Sequence, residues 1–301
     1  MWKSLDLFVT GFEFLLVFVG VFGVFYGKED VMRDFTFYVA IVDADSNEIR
    51  CSGILYDLKH VVTIGHCFRT GVIGRAVVLA GDSYIGIRST SAGQIADTRQ
   101  IRDIDLILQN PLYDYMMPFL YDTCVLRLNE SFVANCAIRT IPIWKGQRID
   151  GLECIVAGWG RSQKASYELQ LQRISMTIQS HDNCMKLAKT LEEQGSLLCA
   201  KDSASNGSLC YGDVGAALIC EEEVAAISIY LVLSCGDNKT GTFFQEIGSS
   251  SEWFDAIVNW SGRGAMPKPK WKHFKQNEAI VKIKPFWLAP MVILVYLIPL
   301  R

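Results

Sequence analysis

Three short segments contain residues whose types could carry out acyl-transfer chemistry. His66 lies in the string TIGHC, Asp122 begins the string DTCVLRL, and Val214 lies at the centre of CYGDVGAALIC. A histidine can act as a general base and a carboxylate can orient it, so the first two segments suit activation of a nucleophile. The third segment lacks that nucleophile, because a valine side chain has no hydroxyl, thiol or amine with which to attack a carbonyl carbon.

Each of these residues also has a simpler interpretation when it is taken alone. His66 could be a surface histidine or, together with His60 and Cys67, a metal ligand. Asp122 could be an ordinary carboxylate at a strand edge, and Asp213 could be a turn residue, because Gly-Asp favours turns. The chain has only four histidines, and Cys67 is better assigned to a disulfide than to a metal. The joint order of the segments favours a common origin for all of them.

Five segments in the same order resemble the trypsin-like serine proteases. They are Cys51-Ser-Gly, Thr63–Cys67, Tyr121–Leu128, Cys154–Gly160 and Cys210–Cys220, which resemble that family's C-G-G, T-A-A-H-C, N-D-I-A-L-L-K-L, C-x-x-x-G-W-G and C-x-G-D-S-G-G-P-L-x-C motifs. The resemblance covers roughly residues 24–260, and the order His, Asp, nucleophile position is that of the family's catalytic triad.

The resemblance implies an all-β fold of two six-stranded antiparallel β-barrels with a short C-terminal helix and the active site between the barrels. It also implies that His66 is the general base, that Asp122 orients it, and that the backbone of Gly212 and Val214 forms the oxyanion hole. The sequence itself shows β-branched and aromatic runs typical of strands at residues 35–41 and 75–79, and helical spacing at residues 253–260.

The departures from the family pattern concentrate in one site. Val214 replaces the nucleophilic serine, and Ile229 replaces the serine that hydrogen-bonds the triad aspartate. Leu231, next to Tyr230, replaces the glycine that opens the specificity pocket. Ser208 lies at the pocket floor, where trypsin has an aspartate that selects Lys or Arg, so no charge is available there. We therefore expect the pocket formed by these residues to be altered and the chain to be catalytically silent.

The resemblance and these departures together predict a non-catalytic homologue of the family. Its expected function is a binding or regulatory role in extracellular proteolysis, like that of the inactive homologues of arthropods. The partners implied are extracellular proteins, including active serine proteases or their inhibitors. Two alternatives stay open at this stage. One is an active trypsin-like endopeptidase with a displaced nucleophile, and the other is a surface adhesion or scaffold protein.

Cysteine content indicates an oxidising compartment, because the chain has ten cysteines. The resemblance implies four disulfides: Cys51–Cys67, Cys154–Cys220, Cys184–Cys199 and Cys210–Cys235. Cys124 and Cys136 are left over, either as a fifth bridge or as buried thiols. Sequons typical of a secreted glycoprotein begin at Asn129, Asn206, Asn238 and Asn259.

The N-terminus predicts export through a signal peptide over residues 1–23. Lys3 precedes an apolar run, and Val21 and Gly23 offer the small residues that a signal peptidase reads; an uncleaved signal anchor is the alternative. Cleavage after Gly23 would give Val24 a free amino group at the first position of the family's activation motif. By resemblance, that amino group would pair with Asp213.

Residues 261–301 follow the expected peptidase domain of residues 24–260. This segment begins with small residues, continues with a basic stretch and ends with the apolar run Phe286–Leu300. The run is short for a helix that must cross an apolar core of ~30 Å at about 1.5 Å per residue. A GPI-attachment signal, a short membrane anchor and a free tail are the three interpretations.

Charge and composition exclude several classes of ligand. The formal net charge of −3 is too near zero to indicate nucleic-acid binding, and no glycine-rich nucleotide loop follows a predicted strand. We expect no cofactor and no metal ion. The expected location is secreted or on the extracellular face of the plasma membrane.

Overall fold

The computed structural model describes residues 34–46, 48–68, 75–85, 98–114, 120–147, 150–159, 169–187, 197–203, 209, 212–230 and 241–269. Several predictions lie outside these residues: the signal peptide with Val24, pocket residues Ser208 and Leu231, the Cys210–Cys235 pair, the sequons at Asn206 and Asn238, and the C-terminal tail. For Tyr230 the backbone is described and the side chain is not.

The first barrel is a closed six-stranded antiparallel sheet with strand order β1-β2-β3-β7-β6-β4. Its strands are β1 (Tyr38–Asp43), β2 (Ile49–Leu55), β3 (His60–Thr63), β4 (Ala76–Ala80), β6 (Gln100–Gln109) and β7 (Cys124–Leu128). The predicted strands at 35–41 and 75–79 overlap β1 and β4, where Val and Ile side chains pack on the pleated surface. All of β1 is buried, because it pairs with β2 on one side and β4 on the other.

The second barrel is also closed, antiparallel and six-stranded, with strand order β10-β11-β14-β13-β12-β8. Its strands are β8 (Glu153–Gly158), β10 (Gln172–Ile178), β11 (Leu197–Asp202), β12 (Ala217–Cys220), β13 (Glu223–Tyr230) and β14 (Thr242–Glu246). A separate two-stranded sheet pairs β5 (Tyr84–Ile85) with β9 (Leu169–Gln170). The predicted fold class is therefore confirmed.

Two α-helices accompany the barrels, α1 (His181–Leu187) and the predicted C-terminal α2 (Ser251–Val258). The apolar face of α2 is buried, and the ring of Phe254 lies 5.8 Å from that of Tyr56 at the end of β2. The segment after the helix folds back onto it, because the indole N–H of Trp253 donates to the Pro267 carbonyl at 2.9 Å. Contacts of the folded unit thus continue past residue 260.

Three of the disulfides implied by the resemblance are present: Cys51–Cys67, Cys154–Cys220 and Cys184–Cys199. A fifth bridge between Cys124 and Cys136 is not formed. Cys124 is buried in the first barrel at the start of β7, whereas Cys136 is exposed after that strand, so the interpretation as two buried thiols holds for Cys124 alone. Among the described residues, no helix has the length and apolarity needed to cross a membrane.

Candidate functional site

The pairing of β3 with β7 brings His66 and Asp122 together. Thr63, the last residue of β3, lies opposite Cys124, the first residue of β7. His66 follows three residues after Thr63 in the 3₁₀ turn Gly65–Phe68, and Asp122 precedes Cys124 by two residues. Both side chains therefore emerge at the same end of the two strands.

His66 satisfies both carboxylate oxygens of Asp122. Its backbone N–H donates to Oδ1 at 2.9 Å, and its Nδ1 lies 2.5 Å from Oδ2. Asp122 is completely buried, whereas the His66 side chain is 34% exposed. Because Nδ1 is held by the carboxylate, Nε2 is the ring nitrogen that can meet a ligand.

Gly65 permits this close approach. A Cβ at Gly65 would lie 3.0 Å from Oδ1 of Asp122 and 3.2 Å from the ring of Tyr113, so a larger residue would have to displace one of them. The side-chain amide of Gln109, at the end of β6, donates to the Gly65 carbonyl at 2.9 Å and fixes the turn.

The Val214 loop lies against the strands of the first barrel. The N–H of Ser52 in β2 donates to the Val214 carbonyl at 2.7 Å, and the Ser52 hydroxyl donates to the Gly212 carbonyl at 3.2 Å. Gly215 has a φ of +87°, and a Cβ there would overlap the Ser52 carbonyl oxygen. A glycine is required at this position for both reasons.

A short path of contacts joins this loop to His66. Cys67, the next residue in the chain after His66, is bonded to Cys51, and Cys51 precedes Ser52, which holds Val214. The side chain of Val214 is partly buried and packs against the apolar clusters of the first barrel and of the barrel interface. His66 and the Val214 loop are therefore both attached to the segment Cys51–Ser52 of β2. The Cys51–Cys67 bond also removes Cys67 from the metal-ligand alternative, and His60 pairs instead with Asp57.

Ser228 organises the loop from the second barrel, and sequence reasoning did not identify it. Its hydroxyl donates to the Asp213 carbonyl at 2.6 Å and accepts from the Ala216 N–H at 3.1 Å. Its backbone also pairs with Gly215 and Ala216 at 2.9 and 2.8 Å. No motif contains Ser228, and its place in the apolar strand β13 predicts only a buried position.

Tyr38 is a second residue that the sequence did not reveal. Its phenol, on β1, donates to the Ala157 carbonyl at 2.5 Å and accepts from the Ala217 N–H at 2.7 Å. The side chain joins the first barrel to two strands of the second. Burial, together with the charge of Asp213, raises the pKa of Tyr38 well above its ordinary value, so the phenol stays neutral and keeps its proton for Ala157.

Asp213 is completely buried beside Gly158. A Cβ at Gly158 would overlap Oδ1 of Asp213, which explains the first glycine of the string GWG. Val24, the predicted partner of Asp213, lies outside the described residues. Of the residues predicted to form the specificity pocket, Ile229 is buried and Tyr230 ends β13 opposite Phe243.

The backbone of the loop offers two hydrogen-bond donors. Within the residues that the structure describes, neither the Gly212 N–H nor the Val214 N–H has an acceptor. Gly212 has a φ of +97°, in the left-handed region that favours glycine. The Val214 loop thus presents two backbone donors beside an isopropyl side chain, and His66 is oriented by the buried carboxylate of Asp122.

Comparison with known proteins extends these observations. The trypsin family model matches residues 24–254. Human kallikrein-4 is 27% identical over 217 residues, which cover 71% of this chain and 80% of that protein. Human azurocidin is 22% identical over 239 residues, covering 79% of this chain and 88% of that protein.

Solved structures show the same fold. Neuropsin, a serine protease of mouse brain, superimposes with a TM-score of 0.67 at 20% identity, covering 78% of this chain and 99% of its own. Human heparin binding protein superimposes with a TM-score of 0.64 at 22% identity, covering 80% and 99%. Two closed six-stranded barrels and a family match over most of the length lead to one assignment. The chain belongs to the trypsin-like serine protease family.

Proposed function

We propose that this chain is a non-catalytic member of its family that acts by binding. The observation that carries the proposal is Val214 at the position that the resemblance assigns to the nucleophile, in a loop that Ser52 and the Cys51–Cys67 disulfide join to His66. Loss of a triad nucleophile costs on the order of 10⁶ in turnover. The rate that survives in such a site, roughly 10³–10⁴ above that in water, comes from the oxyanion hole and substrate binding alone.

Among the residues that the structure describes, the side chains near Val214 offer no replacement nucleophile. In the described part of the chain, three hydroxyls adjoin the loop, and each donates its proton to a backbone carbonyl. Ser52 donates to Gly212, Thr63 donates to Ser52 at 2.8 Å, and Ser228 donates to Asp213. Burial raises the pKa of the Cys124 thiol far above neutrality, so this thiol is not an available nucleophile. These contacts argue against an active endopeptidase with a displaced nucleophile.

The expected role is binding or regulation in extracellular proteolysis, with active serine proteases or their inhibitors as partners, as for the inactive homologues of arthropods. Three disulfides support an oxidising, extracellular location. Two sequon asparagines, Asn129 and Asn259, are exposed and accessible for glycosylation. The C-terminal tail is proposed as a tether to the cell surface.

The test compares turnover of peptide and ester substrates by the secreted protein and by its Val214→Ser variant. The wild-type protein should show no turnover above that of the heat-inactivated sample. We expect Val214→Ser alone to restore little hydrolysis, because Ile229, Leu231 and Ser208 still alter the pocket. Substrate turnover by the wild-type protein that His66→Ala abolishes would contradict the proposal.

A further inference from the structure

The outer face of the second barrel has an apolar pair where polar residues are expected. In an antiparallel sheet with one solvated face, the residues that alternate with the buried ones are normally polar. Ile155 lies between two buried residues of β8, and Ile219 lies between two buried residues of β12, so both side chains point outward. The register places them directly opposite each other, and the exposed Ser175 of β10 lies on the other side of Ile155. Both isoleucines are partly exposed at the surface.

Carboxylates border this apolar pair at one end. Glu153 precedes Ile155 by two residues and shares its face of β8. Glu221 follows Ile219 by two residues, in the turn after β12, and Glu223 begins β13 on the same turn. Continuation of the β8–β12 register by two residues brings Glu153 opposite Glu221. Glu153 and Glu221 are exposed, and Glu223 is partly exposed. These three glutamates form an acidic rim beside the apolar pair.

No cation neutralises this acidic rim within the part of the chain that the structure describes. There, none of the three glutamates takes part in an ion pair. Asp103 and Asp105 of β6, by contrast, each pair with an arginine, at 2.9 and 2.7 Å. Like charges that face each other on neighbouring strands destabilise a sheet. A cation from another molecule would therefore be attracted to the acidic rim and would reduce this repulsion.

The arrangement fits a lysine or arginine side chain better than a free cation. Such a side chain has an apolar stem that can cover an apolar surface while its charged head stays in a polar environment. Here the stem would lie over Ile155 and Ile219, and the head would reach the acidic rim. Arginine suits the rim best, because its planar guanidinium binds a carboxylate through two parallel hydrogen bonds.

We propose that this face of the second barrel, which consists of the apolar pair and the acidic rim, binds an arginine-rich segment of a partner protein. The face lies at the opposite end of β12 from the Val214 loop, since that loop precedes β12 and the rim follows it. The inference therefore does not depend on the proposed loss of catalysis, and a fluorophosphonate adduct would leave it unaffected. Opposite charges at such a rim accelerate association and select the partner more than they raise affinity.

The test uses the secreted, folded protein labelled with ¹⁵N, with the peptide acetyl-Arg-Leu-Arg-Leu-Arg-amide as the probe. Titration with this peptide should shift the backbone amide resonances of Ile155 and Ile219. The peptide with glutamate in place of each arginine should leave them unshifted. An increase in salt from about 50 to about 500 mM should weaken binding of the arginine peptide, because salt screens exposed charges.

Two matched variants show which carboxylates attract the peptide. The rim variant loses three exposed ion pairs with the probe and should bind it at least about fivefold more weakly; it combines Glu153→Gln, Glu221→Gln and Glu223→Gln. The control variant removes the same formal charge from exposed turns of the first barrel and should bind like the wild-type protein; it combines Asp45→Asn, Glu48→Gln and Glu130→Gln. Circular dichroism should show that both variants are folded.

Several results would overturn the proposal. Equal binding of the arginine and glutamate peptides, or unshifted Ile155 and Ile219 amides at millimolar peptide, excludes a cationic partner at this face. Equal weakening by the rim and control variants shows that the peptide responds only to the net charge of the protein. Spermine that binds as tightly as the peptide would identify a small cation as the ligand and exclude a protein segment.

Discussion

Substitution of Ser228 by alanine should destabilise the protein and loosen the Val214 loop. The Ser228 side chain is fully buried, and its hydroxyl makes hydrogen bonds of 2.6 and 3.1 Å to the Asp213 carbonyl and the Ala216 N–H. Alanine keeps the backbone and the strand but leaves the Ala216 N–H without its side-chain acceptor. The Asp213 carbonyl keeps the Ala216 N–H of the following turn as a donor.

The magnitude follows from these two groups. Each loses one of its two partners, because the Ala216 N–H still donates to the Asp213 carbonyl, so at about 0.5–1.5 kcal/mol per hydrogen bond the variant should lose about 1–3 kcal/mol of unfolding free energy. For a domain of this size such a loss lowers Tm by about 2–12 °C. Hydrogen exchange at the Gly215 and Ala216 amides should also accelerate more than exchange in the strands of the first barrel.

Chemical denaturation of the wild-type protein, Ser228→Ala and Ser175→Ala measures this effect. Ser175 is exposed on β10, so its alanine variant controls for the change in composition. A loss of less than about 1 kcal/mol for Ser228→Ala, or a loss equal to that of Ser175→Ala, would show that the hydroxyl does not support the loop.

Three further predictions concern the hairpin turn, the pH dependence and the mature N-terminus. Glu222 has a φ of 66° in the two-residue turn between β12 and β13, so Glu222→Gly should raise the unfolding free energy by about 1 kcal/mol in denaturation; an unchanged or lowered value contradicts this. The N–H of Ser46 and then the side chain of Arg50 lower the pKa of Asp43 to about 2. Because the folded pKa lies below the unfolded value of about 3.9, the stabilisation is complete above that value and is lost as pH falls toward 2. At neutral pH the unfolding free energy of Asp43→Asn should therefore be lower than that of the wild-type protein. The difference between the two proteins should shrink as the pH falls. N-terminal sequencing of secreted protein should begin at Val24, and a start more than one residue away would refute signal cleavage at that site.

Motifs of neighbouring residues made much of the molecule predictable. The family resemblance of the strings around Cys51, Cys67, Cys154 and Cys220 implied the two-barrel fold and four disulfides, of which the described residues contain three. Val214 could be assigned to the nucleophile position in the same way, because the aspartate and glycines beside it match the family motif. The alternation of apolar residues located β1 and β4 to within a few residues.

Contacts between distant segments were not predictable. Ser228 holds the Val214 loop and Tyr38 joins the two barrels, both from strands that carry no catalytic motif. A buried hydroxyl in an apolar strand does not reveal its partner. Cys124 and Cys136 remained ambiguous because pairing depends on which side of the barrel wall each side chain occupies. The β12–β13 turn has acidic residues in place of the Asn-Gly that usually signals such a hairpin.

The central claim is that no group in the cleft can be acylated. Its most direct test is the intact mass of the purified secreted protein after prolonged treatment with a fluorophosphonate, with trypsin in the same tube as the positive control. We expect trypsin to gain one adduct while the mass of this protein stays unchanged. A stoichiometric adduct on any residue of the cleft would contradict the account.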